Sequence, residues 1–288
     1  MPHHDSAQGH HDSAQGHLDS APGALRPRAD RRPTVSVVIP AFNEEVIIAR
    51  CLEALGNQSD PADEIIVVDN GSRDATLAIV ARFARVRVVH EPRRGVGHAR
   101  SSGFDAARGD VIARIDADSL VRADWVESIR TIFATEDIDG IGGGAAVAEL
   151  SPHGRFWFSC WYRGFRAWHQ RSIGVRPMLY GFNSAFRRDA WLTARPLVGA
   201  DDEGISEDVD VTIALLRTGH SLRYAPTAMV KARLFRSIDR DKLSRYYRTD
   251  TLTLARHGYG NPARRRTCSA PVAAPPASVT SPADPSPR

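Results

Sequence analysis

The chain has 288 residues, of which 42% are hydrophobic, 25% charged and 7% aromatic. That composition excludes a collagen, a wholly disordered chain and a disulfide scaffold. A net charge of +4 points to anionic partners but is too small to argue for nucleic acid.

No stretch approaches the roughly 18 uninterrupted apolar residues of a membrane-spanning helix. The first residues lack the basic flank and apolar core of a secretory signal. Cys51, Cys160 and Cys268 lie too far apart for a metal or redox motif. A reducing, cytoplasmic setting is therefore expected, with Cys51 in the core.

Residues 1–32 open on a repeat: His4-Asp5-Ser6-Ala7-Gln8-Gly9-His10 recurs from His11 to His17. The unit has no apolar pair to form a seam, so it reads as a disordered polar tail. Residues 261–288, rich in Pro, Ala and Ser, read the same way. One folded body, residues 33–260, lies between them.

Within the body, Val35–Ile39 is a β-branched run stopped by Pro40, the pattern of a buried strand. Helical spacing follows from Glu44 to Leu55, with Asn43 as its expected N-cap. Glu64–Val68 is a second strand, ending in the turn cluster Asp69-Asn70-Gly71-Ser72. Asp74–Ala84 is a helix, Val86–Val89 a strand, Gly97–Arg108 a helix and Val111–Ile115 a fourth strand. Alternating strands and helices predict an α/β fold, a mostly parallel sheet with both faces covered. Ligands of such sheets bind at the carboxyl ends of the strands.

Four segments then converge on that edge: Pro40-Ala41-Phe42-Asn43-Glu44, Asp69 to Asp74, His90 to Gly95, and Asp116-Ala117-Asp118. Two carboxylates two residues apart can hold Mg²⁺ or Mn²⁺ through oxygen and leave positions for phosphate. The competing reading makes Asp118 and Ser119 the cap of a helix through Trp125. Phe42 has a second reading as a staple of the first helix, Asp69 as a turn residue, and Arg100 as a surface partner of Asp105 or Glu91. Glu207 has one as an ordinary first-turn acid.

Residues 35–44 (Val-Ser-Val-Val-Ile-Pro-Ala-Phe-Asn-Glu), 67–74 (Val-Val-Asp-Asn-Gly-Ser-Arg-Asp), 95–100 (Gly-Val-Gly-His-Ala-Arg) and 115–118 (Ile-Asp-Ala-Asp) resemble family 2 glycosyltransferases of the GT-A fold. Residues 180–188 (Tyr-Gly-Phe-Asn-Ser-Ala-Phe-Arg-Arg) and 206–210 (Ser-Glu-Asp-Val-Asp) extend the likeness in order and spacing, from about Thr34 to Ala232. The resemblance implies a nucleotide-binding half, about 34–118, an acceptor half, about 119–232, and a helical extension, about 233–260. It implies that Pro40, Phe42 and Glu44 line the nucleotide pocket, that Asp69 recognises the base and that Arg100 lies near the nucleotide or its phosphates. Asp116 would meet the ribose or the metal shell, and Asp118 the divalent cation. In the Glu207-Asp208 pair, Asp208 would be the base. The activity so implied is inverting transfer of one sugar from a UDP- or GDP-linked donor to a hydroxyl acceptor, a glycan or a lipid-linked molecule. The alternatives are a sugar-phosphate nucleotidyltransferase, for which a Gly-rich basic loop after the first strand is missing, and an inactive binding or scaffold protein.

Three departures stand out. Asn70 replaces the second Asp of many members. No His stands near Val230-Lys231-Ala232-Arg233, where Lys231 and Arg233 are expected to meet the diphosphate instead. Arg245-Tyr246-Tyr247-Arg248 is a poor match to the Gln-x-x-Arg-Trp of processive members, so single-sugar addition is expected.

Ser151–Arg176 carries five arginines, no acid, and seven aromatics between Phe156 and Trp168. Arg155, Phe158, Tyr162, Phe165 and Trp168 to Gln170 form a helical stripe. Three readings are open: a helix packed beside the acceptor site with its aromatics in the core, an interfacial helix on anionic lipid, and a platform for an acceptor sugar. The second adds peripheral contact with the inner face of the membrane to the cytoplasmic setting.

Overall fold

The computed structural model describes residues 31–147, 151–199, 204–232 and 240–258. Both expected tails therefore lie outside the described residues, apart from Arg31 and Arg32, as do Arg233 and Cys268. Arg31 pairs with Asp110 at 2.6 Å, and Arg32 pairs with Asp60.

The chain order is β1 (Val35–Ala41), α1 (Ile48–Gly56), β2 (Glu64–Asp69), α2 (Thr76–Val80), β3 (Val86–His90), α3 (Val96–Ala106) and β4 (Val111–Ile115). Then come β5 (Leu120–Val121), α4 (Trp125–Thr135), β6 (Gly140–Val147), α5 (Pro152–Ile173), β7 (Asn183–Arg187), α6 (Arg188–Ala194), α7 (Glu207–Arg217), β8 (Leu222–Ala232) and α8 (Arg240–Arg256). Among the described residues, eight strands form one sheet in the order β3-β2-β1-β4-β7-β6-β8-β5. The first four are parallel, β7 runs antiparallel to β4 and β6, and β5 antiparallel to β8.

The parallel strands are apolar on both faces because helices cover both. Val35, Val37 and Ile39 pack with Ile48, Leu52, Trp125 and Phe133 from α1 and α4. Val38, Ile66 and Val68 pack on the opposite side with Phe104, Phe186 and Trp191. The ring of Phe104 meets those of Phe186 and Trp191 edge to face at 5.1 and 5.0 Å. Gly103 lets α3 lie close on the sheet, since a Cβ there would run into Val38 and Val68. Cys51 is fully buried, as expected, and burial pushes its thiol well up.

Two helices differ from their expected spans, for one reason. Asn43 has φ 53°, in the left-handed region, so it does not cap a helix. Its Oδ1 instead accepts from Arg73 N at 2.8 Å, while Glu44 N donates to Thr76 Oγ1 at 2.8 Å. These bonds stitch the β1 loop to the β2 loop and delay α1 to Ile48. Asp74 Oδ1 accepts from Thr76 N at 3.0 Å, and the second helix shrinks to α2. The delay also removes the staple reading of Phe42, which no longer stands next to a helix start.

Candidate functional site

The carboxyl ends of β1, β2 and β4 bring Pro40, Phe42, Asp69 and Asp116 to one edge, as expected. Asp69 is buried and its Oδ1 accepts from Ser72 N at 3.0 Å, so it does shape its turn. Burial alone would raise its carboxyl. The Ser72 hydroxyl and amide and the neighbouring His90, 3.5 Å away, hold it below its ordinary value instead. Phe42 is exposed, with the Arg94 guanidinium 3.3 Å above its ring centre. Arg94 Nη1 is anchored by the carbonyl of Asn70 at 2.8 Å.

Asn70 explains one departure from the family pattern. Its Nδ2 donates to the carbonyls of Glu91 and Arg93 at 2.8 and 2.7 Å, and its Oδ1 accepts from Gly95 N at 2.9 Å. Only an amide supplies both functions. In Asn70→Asp, a carboxylate oxygen would face two carbonyl oxygens in a buried position. The expected cost is about 1–3 kcal/mol, a fall of several degrees in thermal midpoint. A midpoint equal to the wild type's would show that the amide does not organise this loop.

The helix-cap reading of Asp118 does not hold. After Asp116 the chain turns, with Ser119 N donating to the Asp116 carbonyl at 3.0 Å. The short strand β5 then intervenes before α4. Its register with β8 sets Leu120 opposite Lys231, which brings Lys231 to the neighbourhood of Asp118.

Arg100 is not on a solvated face. Asp105 instead accepts from Trp191 Nε1 at 2.8 Å, and Glu91 from Arg93 Nε at 3.0 Å. The Arg93 hydrogen bonds, with Ser102, hold the Glu91 carboxyl at about 2 against the effect of burial. Arg100 is buried on α3 and bridges the two halves of the chain. Its Nη2 donates to Asp116 Oδ1 at 2.7 Å, and its Nη1 to Asp208 Oδ1 at 2.9 Å and to Glu207.

Arg114 was not anticipated. It lies on β4, fully buried, and donates to Ser184 Oγ at 2.7 Å, the Leu179 carbonyl at 3.0 Å, Asp208 Oδ1 at 3.0 Å and Glu207. The signal was present: an Arg inside a buried parallel strand needs acidic partners from elsewhere in the chain.

Glu207 and Asp208 begin α7, whose dipole favours them. The Glu207 side chain is only 6% exposed, with each oxygen taken by one arginine, whereas that of Asp208 is 28% exposed. Asp208 Oδ2 also accepts from Gly181 N at 2.7 Å. That approach requires glycine, since a Cβ at Gly181 would collide with Asp208 and Arg100. Burial would raise the Asp208 carboxyl, but Arg114, Arg100 and the Gly181 amide hold it at about 2. Burial pushes Glu207 the other way, up, against the pull of the same arginines. Asp210 is structural, accepting from Gly199 N at 2.7 Å and pairing with His257 at 2.6 Å.

Asp116, Glu207 and Asp208 carry three negative charges against two on Arg100 and Arg114, and Asp118 adds a fourth. Among the described residues, no group of three His, Cys, Asp or Glu is arranged to hold a metal ion. The donor set suits a hard cation that brings further oxygens with it.

The aromatic segment is one helix, α5, capped by Ser151 Oγ on Gly154 N at 3.2 Å, with Pro152 in its first turn and Gly174 at φ 74° closing it. Its rings do not all enter the core. Tyr162 and Arg166 are buried, whereas Phe156, Trp157, Trp161 and Trp168 are exposed. Among the described residues no helix is long and apolar enough to cross a membrane.

The sequence profile described as Glycosyl transferase family 2 matches residues 36–192, more than half of the chain. The probable glycosyltransferase YdaM of Bacillus subtilis is 33% identical over 215 residues, 68% of this chain and 50% of that one. Glycosyltransferase AglE of Haloferax volcanii is 34% identical over 119 residues, 38% of this chain and 39% of that one. The chain thus spans at most about half the length of these relatives. A mannosyltransferase of Pyrobaculum calidifontis, solved with GDP-Man and Mn²⁺, superposes with a TM-score of 0.62 at 21% identity, covering 86% of this chain and 71% of that one. Glucosyl-3-phosphoglycerate synthase of Mycobacterium tuberculosis, solved with Mn²⁺, UDP and phosphoglyceric acid, gives 0.59 at 23% identity, covering 82% of each chain. These two share the GT-A fold seen here, and the profile match together with the YdaM likeness shows that the chain belongs to glycosyltransferase family 2.

Proposed function

We propose that the protein is an inverting glycosyltransferase that moves one sugar from a nucleotide-diphosphate donor to a hydroxyl acceptor. The observation that carries this reading is the bridge made by Arg100, which joins the strand-end Asp116 to the Glu207-Asp208 pair. Nucleotide-side and acceptor-side carboxylates thereby share one partner. Pro40, Phe42, Glu44 and Asp69 receive the nucleoside, and Asp116 and Asp118 would hold the cation, with Lys231 nearby. A bound Mg²⁺ or Mn²⁺ would offset charge on the departing diphosphate. The P. calidifontis and M. tuberculosis relatives, solved with GDP-Man or UDP and with Mn²⁺, support both the donor class and the cation.

Asp208, the more exposed of the pair, accepts the acceptor's proton. The hydroxyl oxygen attacks the anomeric carbon from the face opposite the diphosphate, which leaves with the bonding electrons. Glu207, enclosed by two guanidiniums, positions rather than reacts.

Asp118→Ala tests the cation assignment. Calorimetry with UDP- and GDP-sugars is expected to show donor binding that strengthens with Mn²⁺ in the wild type and no longer does so in the variant, with the thermal midpoint kept. Undiminished Mn²⁺-dependent binding and turnover in Asp118→Ala would remove that carboxylate from the metal site.

For the acceptor, the exposed rings of α5, with Arg163 and Arg171 also exposed, support contact with an anionic lipid surface that presents a lipid-linked acceptor. Vesicle binding is expected to rise with anionic lipid, to fall with salt and to drop in Trp157→Ser/Trp161→Ser. Equal indifference to neutral and anionic vesicles would count against membrane contact.

A further inference from the structure

Among the described residues, Arg166 is a buried cation without an anion. It lies on the inward face of α5 and is 4% exposed. Its guanidinium carbon stands 4.2 Å from the ring centre of Tyr224, 4.7 Å from that of Tyr180 and 5.7 Å from that of Tyr162. The described hydrogen bond is a long one, Nη1 to the Tyr162 hydroxyl at 3.4 Å, and Nη2 is buried with no partner. Among the described residues no carboxylate pairs with it. Three ring faces attract a guanidinium, but they do not replace the hydrogen bonds of five N–H donors. Arg114 and Arg100, by contrast, are each matched by acids.

The location is informative. Tyr180 precedes Gly181, whose amide holds Asp208. The charge of Asp208 bears on the hydroxyls of both Tyr162 and Tyr180. Tyr180 and Tyr224, which lie against Arg166, are only half-buried and so border open space. His169 fixes the Tyr180 hydroxyl at 3.0 Å and is itself held by Asp250 at 3.1 Å. An oxyanion arriving at this border would supply the missing counter-charge and the acceptor atoms that Nη2 lacks.

We propose that Arg166, with the hydroxyls of Tyr162, Tyr180 and Tyr224, is a binding site for a phosphate or carboxylate group carried by the acceptor. This rests on the glycosyl-transfer reading above and narrows it to acceptors with an anionic group near the hydroxyl that is glycosylated. Leaving a cation unmatched in the free protein costs stability, and the bound anion recovers it.

The test is calorimetric titration of the full chain with inorganic phosphate and, separately, acetate, each alone and after saturation with UDP or GDP and Mg²⁺. Binding of at least one anion is expected to survive nucleotide saturation. Whichever binds more tightly identifies the group. Arg166→Met is expected to weaken it at least tenfold, to leave the nucleotide affinity within about twofold, and to keep or raise the thermal midpoint of the free protein. No anion binding in the wild type, binding abolished by the nucleotide, or equal binding in Arg166→Met would each overturn the proposal. If Arg166→Met does not fold, the wild-type midpoint decides. It should rise with phosphate or acetate beyond its rise with chloride at equal ionic strength, and no such excess overturns the proposal. If UDP and GDP both fail to bind while anion binding still depends on Arg166, the anion site stands and the glycosyl-transfer reading falls. The reverse pattern removes only the anion site.

Discussion

Asp208→Asn is expected to bind nucleotide sugar nearly as the wild type does and to transfer it at least about 10²-fold more slowly. The nucleotide contacts proposed at Pro40, Phe42, Glu44 and Asp69 do not involve Asp208, so the loss should fall on the chemical step. The substitution keeps size but is not silent structurally. Asp208 Oδ1 accepts from Arg100 and Arg114, and Oδ2 from the Gly181 amide. An asparagine amide must point its NH₂ at one of these donors, which leaves a donor facing a donor at a cost of about 1–3 kcal/mol. A midpoint a few degrees lower with intact donor binding is therefore the expected background, and the rate is the signal. Near wild-type transfer by Asp208→Asn would show that this carboxylate is not the base.

A carboxylate held at about 2 is a weak base in the ground state, yet it suits this reaction. The acceptor hydroxyl becomes strongly acidic only as its oxygen bonds to the anomeric carbon, so the proton moves late. Because the shift is downward, Asp208 stays ionised throughout pH 5–8. It contributes no acid limb to kcat/KM in that window. Its contribution to stability, present above the ordinary carboxylate range, is lost only as the pH falls toward about 2.

Most of the parallel half of the sheet was legible in the sequence. Val35–Ile39, Glu64–Val68 and Val111–Ile115 are short apolar runs closed by Pro or Asp, and β1, β2 and β4 contain them. Period and punctuation suffice where a strand is buried on both faces. The loops that shape the site were less legible, because long-range bonds decide them. Asn43 reads as a helix cap in its own neighbourhood, but its bond to Arg73 N reaches thirty residues away. By its neighbours alone Arg100 has a second reading as a surface partner of Asp105 or Glu91, because its partners at 207 and 208 lie more than a hundred residues on. Composition alone left three readings of α5 open, because it does not say which rings face inward, while the turn-by-turn geometry gives them two opposite sides.

Arg114 is where that long-range logic has its largest expected effect. Arg114→Met removes a fully buried guanidinium and leaves the Leu179 carbonyl, the Ser184 hydroxyl and one side of Glu207 without their donor. Breaking a buried pair from one side costs about 3–5 kcal/mol. At roughly 2–4 °C per kcal/mol for a chain of this size, the midpoint should fall by about 10 °C. Arg114→Lys separates positioning from stability. A single ammonium keeps the charge but cannot span Glu207, Asp208 and the Leu179 carbonyl as the planar fork does. Asp208 would then rely on Arg100 and Gly181 alone, next to a less well matched Glu207. Its carboxyl should move up from about 2, and an acid limb should enter the kcat/KM profile that the wild type lacks. The nucleotide-sugar KM should stay close to the wild type's while kcat falls. If Arg114→Lys is destabilised but keeps the wild-type profile, Arg114 holds the sheet together and does not tune the base. If the limb appears, the strand that ends in Asp116 also sets the charge state of the residue that takes the acceptor's proton.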